Sequence, residues 1–178
     1  MAFQDPSPLS GRLAGKIEGD VLFDPFSRGR YATDASIYQM PPFGVVVPKT
    51  LDDVRVALEA ARELGAPVLP RGGGTSQCGQ TVNRALVLDN SKYLTGITHL
   101  DVENRTCRVR PGIVLDELNR ALNPHGLWFP VDVSTASRAT IGGMTANNSC
   151  GGRSLRYGKM RDNVLSIEAI LADGTEAR

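Results

Sequence analysis

The stretch Arg71-Gly72-Gly73-Gly74-Thr75-Ser76-Gln77-Cys78-Gly79-Gln80 carries the densest chemical signal in the chain. Three consecutive glycines let successive amides turn toward one point, the hydroxyls of Thr75 and Ser76 add donors, and Arg71 adds a fixed positive charge. Such a set suits a phosphate or diphosphate. A plain glycine-rich turn between strands is the alternative, but such turns rarely need three glycines and two hydroxyls together. Two nucleotide patterns fail here. Gly74 and Gly79 have the spacing of a P-loop, yet Gln80 stands where lysine belongs and the following residues read as a strand rather than a helix. Gly72 and Gly74 begin a dinucleotide fingerprint that Gln77 interrupts where a third glycine is required.

A second cluster runs from Ala139 through Thr140, Gly142, Gly143, Asn147, Asn148, Ser149, Cys150, Gly151 and Gly152 to Tyr157-Gly158. Paired glycines at both ends, with amides and hydroxyls between, suit a narrow, donor-rich channel along a flat polar ligand. One such loop says little. Two of them suggest an extended ligand with a phosphate portion and a second hydrogen-bonding portion, for which a flavin dinucleotide is a natural candidate. Cys78, Cys107 and Cys150 are odd in number and lack any C-x-x-C spacing, so they read as free thiols and not as a disulfide framework or metal site. His99 and His125 have no metal-ligand spacing either.

Elements that could position the loops are legible around them. Gly44-Val45-Val46-Val47 with Pro48 reads as a short buried strand. Thr50 is a candidate N-cap with Asp53 three residues on, and Leu51, Val54, Leu58, Ala61 and Leu64 recur at helical spacing up to Gly65. Residues 67–70 and 85–89 read as strands flanking the first glycine cluster, so strand, helix and strand predict a right-handed parallel unit. Residues 97–102 and 105–110 predict a hairpin, and Leu115, Leu118 and Leu122 an amphipathic helix without a strong N-cap residue. Leu9 to Ile17 predicts a short helix, and residues 24–38 read as a long approach segment with Pro25, Gly29 and several aromatics. Val164 to Ala172 predicts a strand before Asp173-Gly174, with too few residues beyond to pair with it. The chain is therefore expected to be part of a longer one.

Composition narrows the partners. The 178 residues carry 20 Lys plus Arg against 19 Asp plus Glu, for a net charge of +1, which removes the electrostatic case for nucleic acid. No apolar run approaches the ~18 residues of a membrane span, and the first twenty positions lack a secretory pattern, which predicts a cytoplasmic protein without a transmembrane segment, a peripheral membrane association of the full-length protein being the alternative.

Several motifs together resemble a family. Pro70-Arg71-Gly72-Gly73-Gly74-Thr75-Ser76, Val109-Arg110-Pro111-Gly112, Ala139-Thr140-Ile141-Gly142-Gly143-Met144, Asn147-Asn148-Ser149-Cys150-Gly151, Tyr157-Gly158 and Leu171-Ala172-Asp173-Gly174 occur in the order seen in FAD-linked oxidases. This is the PCMH-type, or vanillyl-alcohol-oxidase-like, FAD-binding domain. Within it, Tyr31 to Tyr38 and the Asn-Asn-Ser-Cys-Gly stretch resemble D-lactate dehydrogenase- and D-2-hydroxyglutarate dehydrogenase-like flavoproteins. The resemblance implies an α+β fold of two subdomains, about 40–92 and 93–178, the second incomplete and a substrate or cap domain absent. It implies that Arg71, Gly72, Gly73, Gly74, Thr75, Ser76, Gly79 and Gln80 hold the diphosphate of FAD. Thr140, Gly142, Gly143, Asn147, Gly151, Gly152 and Gly158, with Ser134 and Tyr157, would line the rest. Thr75 stands where some relatives carry a flavin-linking histidine, so noncovalent FAD is expected. The implied reaction is oxidation of a D-2-hydroxy acid such as D-lactate, glycolate or D-2-hydroxyglutarate, with hydride passing to flavin N5. No catalytic residue is assigned within these positions, and electron acceptor and any iron–sulfur cluster would belong to further domains. An enolpyruvyl-reductase-like enzyme and a non-catalytic nucleotide-binding module are the alternatives.

Overall fold

In the computed structural model, which describes residues 5–178, two strands are buried at every position: β2 (Gly44–Val47) and β4 (Leu86–Asp89). Strands covered on both faces are the centre of a parallel sheet. The sheet runs in the order β1-β2-β4-β3, where β1 is Asp20–Leu22 and β3 is Val68–Arg71. β1 lies antiparallel to β2, whereas β2 and β3 both run parallel to β4, which separates them. The predicted strand-helix-strand unit is therefore present with a third strand inserted between its two strands.

One face of this sheet is covered by α1 (Ser7–Leu13) and α3 (Leu51–Leu64), whose Leu9, Leu13, Ala57 and Ala61 pack on Val46, Leu86 and Leu88. The other face gathers Val45, Val47 and Val87 with Leu22, Tyr31, Leu69 and Tyr93. α3 begins as its sequence predicts. The Asp53 amide donates to Thr50 Oγ1 at 3.1 Å, the Asp53 carboxylate accepts from the Thr50 amide at 3.3 Å, and Gly65 ends the helix in the left-handed region.

The second half has its own core. A hairpin of β5 (Ile97–Asp101) and β6 (Thr106–Val109) packs with α4 (Leu115–Leu122), α5 (Ile141–Ala146) and α7 (Met160–Asn163) around Leu115, Leu118, Val131, Ile141 and Met160. The missing N-cap of α4 has a physical substitute: the Leu115 amide donates to Ala139 O at 3.0 Å and the Asp116 amide to Ala136 O at 3.1 Å. Orphan donors of the first turn are thus satisfied by the segment leading into α5.

Three local expectations are corrected. Residues 24–38 include a helix, α2 (Pro25–Arg30), capped by Asp24 accepting from the Ser27 amide at 2.9 Å. The strand expected over Val164–Ala172 is limited to β7 (Ala169–Ile170), because Leu165 and Ile167 are exposed and no strand among the described residues pairs with 164–168. The residues after Asp173-Gly174 do pair: β8 (Glu176–Ala177) returns antiparallel to β7, and the Leu171 amide donates to Thr175 O at 2.8 Å. This small hairpin lies against α3, where Arg55 pairs with Glu176 and Arg62 Nη1 donates to Asp173 O at 2.7 Å.

Asp53 organises more than its own helix. Buried to 2% exposure, its carboxylate also accepts from the amides of Glu18 (2.8 Å), Gly19 (3.1 Å) and Lys49 (2.8 Å). Burial alone would raise its pKa, but these backbone donors outweigh burial and hold it below the usual carboxylate value. A folded-state pKa below the unfolded one adds stability that is complete above the unfolded value and is lost as pH falls through the folded one. Asp53→Ala is expected to cost about 2–4 kcal/mol at neutral pH, since it removes a cap and strands buried amides. Denaturant midpoints measured from pH 7 downward should converge for the variant and the wild type in acid.

Candidate functional site

The first glycine cluster leaves β3 and turns across its end. The amides of Gly72, Gly73, Gly74, Thr75, Ser76 and Gln77 donate no hydrogen bond among the described residues. This leaves a consecutive run of amides without an acceptor among the described residues, with Gly74 at φ +66°. Inside the turn, Ser76 Oγ accepts from the amides of Cys78 (3.2 Å) and Gln80 (3.4 Å) and donates to Gln80 Oε1 at 3.0 Å. Ser76 therefore shapes the turn.

Arg71 is placed beneath this loop. Its Nη1 donates to Tyr31 O (3.3 Å) and Thr81 O (3.0 Å), its Nη2 donates to Thr33 O (2.8 Å), and its guanidinium lies over the Tyr31 ring at 5.3 Å. A Cβ on Gly74 would sit 2.7 Å from Nη2 of Arg71. The arginine contributes charge to the loop while its guanidinium donates to carbonyls of the chain.

The two glycine clusters meet. A Cβ on Gly72 would collide with Thr140 Oγ1, and one on Gly73 with the carbonyl of Arg138. Thr140 itself is buried to 2% exposure and caps α5, its Oγ1 accepting from the Gly143 amide at 3.3 Å. Gly142 is pressed against Pro111, where a Cβ would lie 2.6 Å from Pro111 Cβ, and its amide donates to Pro111 O at 2.8 Å. The middle of the second cluster is therefore helix and turn rather than the open channel its composition suggests. Asn147 Nδ2 closes it by donating to Gly143 O at 2.9 Å.

The remaining residues of the second cluster gather elsewhere. A Cβ on Gly151 would overlap Asp132 O, and the Asp132 carboxylate accepts from the Arg153 amide at 2.9 Å. Tyr157 ends the short helix α6 (Ser154–Tyr157) and meets Trp128 edge to face with ring centroids 5.3 Å apart. Gly158 follows it at φ +82°. An open depression of about 520 Å³ is lined here by Trp128, Gly152, Arg153, Leu155, Arg156 and Tyr157. Ser134 is exposed in the turn before α5. Direct apposition thus joins Gly72 and Gly73 to the Arg138–Thr140 segment, while Gly151, Gly152 and Tyr157 border the Trp128 depression.

A family model described as an FAD binding domain matches residues 42–178. The chain belongs to this FAD-binding domain family. It is 43% identical over 172 residues to D-2-hydroxyglutarate dehydrogenase of Pseudomonas putida, covering 95% of this chain and 17% of that protein. It is 40% identical over 162 residues to D-2-hydroxyglutarate dehydrogenase of Haemophilus influenzae, covering 89% of this chain and 16% of the relative. The chain thus spans about a sixth of the length of these curated relatives. A solved alkyldihydroxyacetonephosphate synthase superposes with a TM-score of 0.85 at 22% identity, covering 99% of this chain and 36% of that one. That likeness concerns the fold, which is the expected PCMH-type α+β arrangement. The donor chemistry fits an FAD-binding domain: six amides without an acceptor among the described residues, beside the Thr75 hydroxyl and the Arg71 cation, suit the diphosphate of a dinucleotide.

Residues such as Pro111, Asp132 and Arg138, and the Tyr31–Tyr38 segment, support the site without advertising it. Pro111 and Tyr31–Tyr38 fall within the motifs of the family resemblance, whereas Asp132 and Arg138 carry no sequence signal. The packing around Asp132 gives a sharp comparison. Gly151→Ala is expected to lower the thermal midpoint by several degrees because its Cβ meets a backbone carbonyl, whereas Gly152→Ala, whose nearest neighbour lies at 3.8 Å, should melt within a degree or two of the wild type.

Proposed function

We propose that this chain is the FAD-binding portion of a flavin-dependent dehydrogenase that oxidises a D-2-hydroxy acid, with D-2-hydroxyglutarate, D-lactate and glycolate as the substrate class. The observation that carries the cofactor assignment is the run of unengaged amides from Gly72 to Gln77, seated against the Arg138–Thr140 segment. The substrate class is supported by the two D-2-hydroxyglutarate dehydrogenases described above, 40% and 43% identical to this chain.

On this reading Gly72, Gly73, Gly74, Thr75 and Ser76, with Gly79 and Gln80, hold the diphosphate through amides and hydroxyls, and Arg71 supplies positive charge from below. Thr140, Gly142, Gly143, Asn147, Gly151, Gly152 and Gly158, with Ser134 and Tyr157, line the remainder, and subdomains of about 40–92 and 93–178 flank the cofactor. Bound there, FAD supplies the hydride acceptor at N5 for oxidation of the substrate hydroxyl carbon. Thr75 offers no imidazole for a covalent link, so the cofactor is held noncovalently. The groups that bind the substrate carboxylate and take the hydroxyl proton, the electron acceptor and any iron–sulfur cluster belong outside these residues. Among the described residues no three His, Cys, Asp or Glu side chains come together as a metal site, and no helix is long and apolar enough to cross a membrane. We place the protein in the cytoplasm.

The purified chain, titrated with FAD, is expected to quench flavin fluorescence and to release unmodified FAD on denaturation. It should not turn over hydroxy acids alone. A folded chain that takes up no FAD overturns the assignment. Gly73→Val, which drives side-chain bulk into the Arg138 carbonyl, should weaken FAD retention by at least about tenfold, and unchanged retention would contradict the placement of the first loop.

A further inference from the structure

The first glycine loop has little to order it from within. Between Gly72 and Thr81 there is no large apolar side chain, and fixing each residue costs about 1–2 kcal/mol of conformational entropy, most for glycine. Its order comes from a segment far away in sequence. Residues 31–39 fold back on themselves, with the Met40 amide donating to Ala32 O at 2.8 Å and a bridge between Thr33 and Gln39. This strap is fastened to the sheet where Tyr31 Oη donates to Asp89 Oδ2 on β4 at 2.7 Å.

From that anchorage the strap grips the loop at both ends and in the middle. Arg71 ties the loop's start to Tyr31 O and Thr33 O, and its finish through Thr81 O. The Ala35 amide donates to Gly74 O at 3.1 Å. The Asp34 carboxylate accepts from the Thr81 amide (3.3 Å) and from Thr81 Oγ1 (2.9 Å). The Tyr38 ring lies against Gly79, leaving no room for a Cβ there. None of these contacts uses an amide from Gly72 to Gln77. The strap holds the loop through carbonyls, the Arg71 guanidinium, the Asp34 carboxylate and the amide and hydroxyl of Thr81, and leaves the amides from Gly72 to Gln77 free.

We propose that the strap Tyr31–Gln39 is a positioning element of the cofactor site, and that Arg71 acts by fastening strap to loop rather than by touching the diphosphate. The inference rests on the FAD reading. It assigns Asp34 and Thr81 to cofactor retention although they bond to each other and to none of the amides from Gly72 to Gln77. It also separates the two cationic choices at position 71: a lysine keeps the charge but lacks the fork that spans three carbonyls.

The test combines FAD titration with hydrogen exchange of the flavin-free chain, read at the Ala35 and Met40 amides, which Asp34 and Arg71 do not themselves accept or donate. Asp34→Ala, the gentler Thr81→Val and Arg71→Lys are each expected to speed exchange at both amides and to raise the FAD dissociation constant about tenfold. Combining Asp34→Ala with Arg71→Lys should cost less than the sum of the two, because both act through one strap. If Arg71→Lys weakens FAD while exchange at Ala35 and Met40 stays at the wild-type rate, arginine touches the cofactor and the inference is overturned. Faster exchange with unchanged FAD affinity overturns it equally. A wild-type chain that takes up no FAD removes the cofactor reading and this inference with it, whatever the exchange shows.

Discussion

Gly72 abuts the Thr140 side chain and Gly73 the Arg138 carbonyl, and this close approach exists because neither glycine carries a side chain. A side chain at either position would push apart two halves that carry separate hydrophobic cores, one around Val46, Leu86 and the α1 and α3 helices, the other around Leu118, Val131 and Met160. Glycine is a poor choice for order and a good one for proximity. The close approach aligns a run of free amides beside the cap of α5. Packing elsewhere in the molecule can be read as what keeps those two backbones in register.

Carboxylates do much of that keeping. Asp53 gathers amides from the α1–β1 connection and the start of α3, Asp34 holds Thr81, Asp89 receives Tyr31 Oη and Ser91, and Asp132 receives the Arg153 amide. Each fixes a turn that has too few apolar side chains to fix itself. Buried polar groups contribute modestly when satisfied and cost heavily when left alone, so a network of this kind makes loop geometry specific more than it makes the fold stable. Tyr31 shows the coupling: burial together with the neighbouring Asp89 carboxylate pushes its phenol upward in pKa, which keeps the proton on the oxygen that donates.

Periodicity revealed what depends on local sequence. The capped helix over Leu51–Leu64, the buried strand at Gly44–Val47 and the hairpin around Glu103-Asn104 follow from apolar spacing and turn residues. Strand order did not, because the placement of β4 between β2 and β3 is decided by tertiary packing and leaves no mark in any one segment. The helix over Ile141–Ala146 was hidden by its own glycines, which suggest a loop until Thr140 is seen to cap them. In the site, Gly72, Gly73 and Thr140 were legible as members of two unusual clusters. The role of Asp34 was not, since a single acid in an irregular stretch has no pattern, and the geometry that redirects Arg71 toward carbonyls appears only when Tyr31 and Thr33 are in place.

The small β7–β8 hairpin sits on α3, with Ile170 packed into the first core and Arg55 bonded to Glu176. A polypeptide emerging from the ribosome completes β1 through β4 long before those residues appear, so the outer side of α3 stays uncovered while the whole second core is being made. Closing so long a loop is entropically slow. During synthesis the first core therefore lacks the packing of Ile170 until the whole second core has been made.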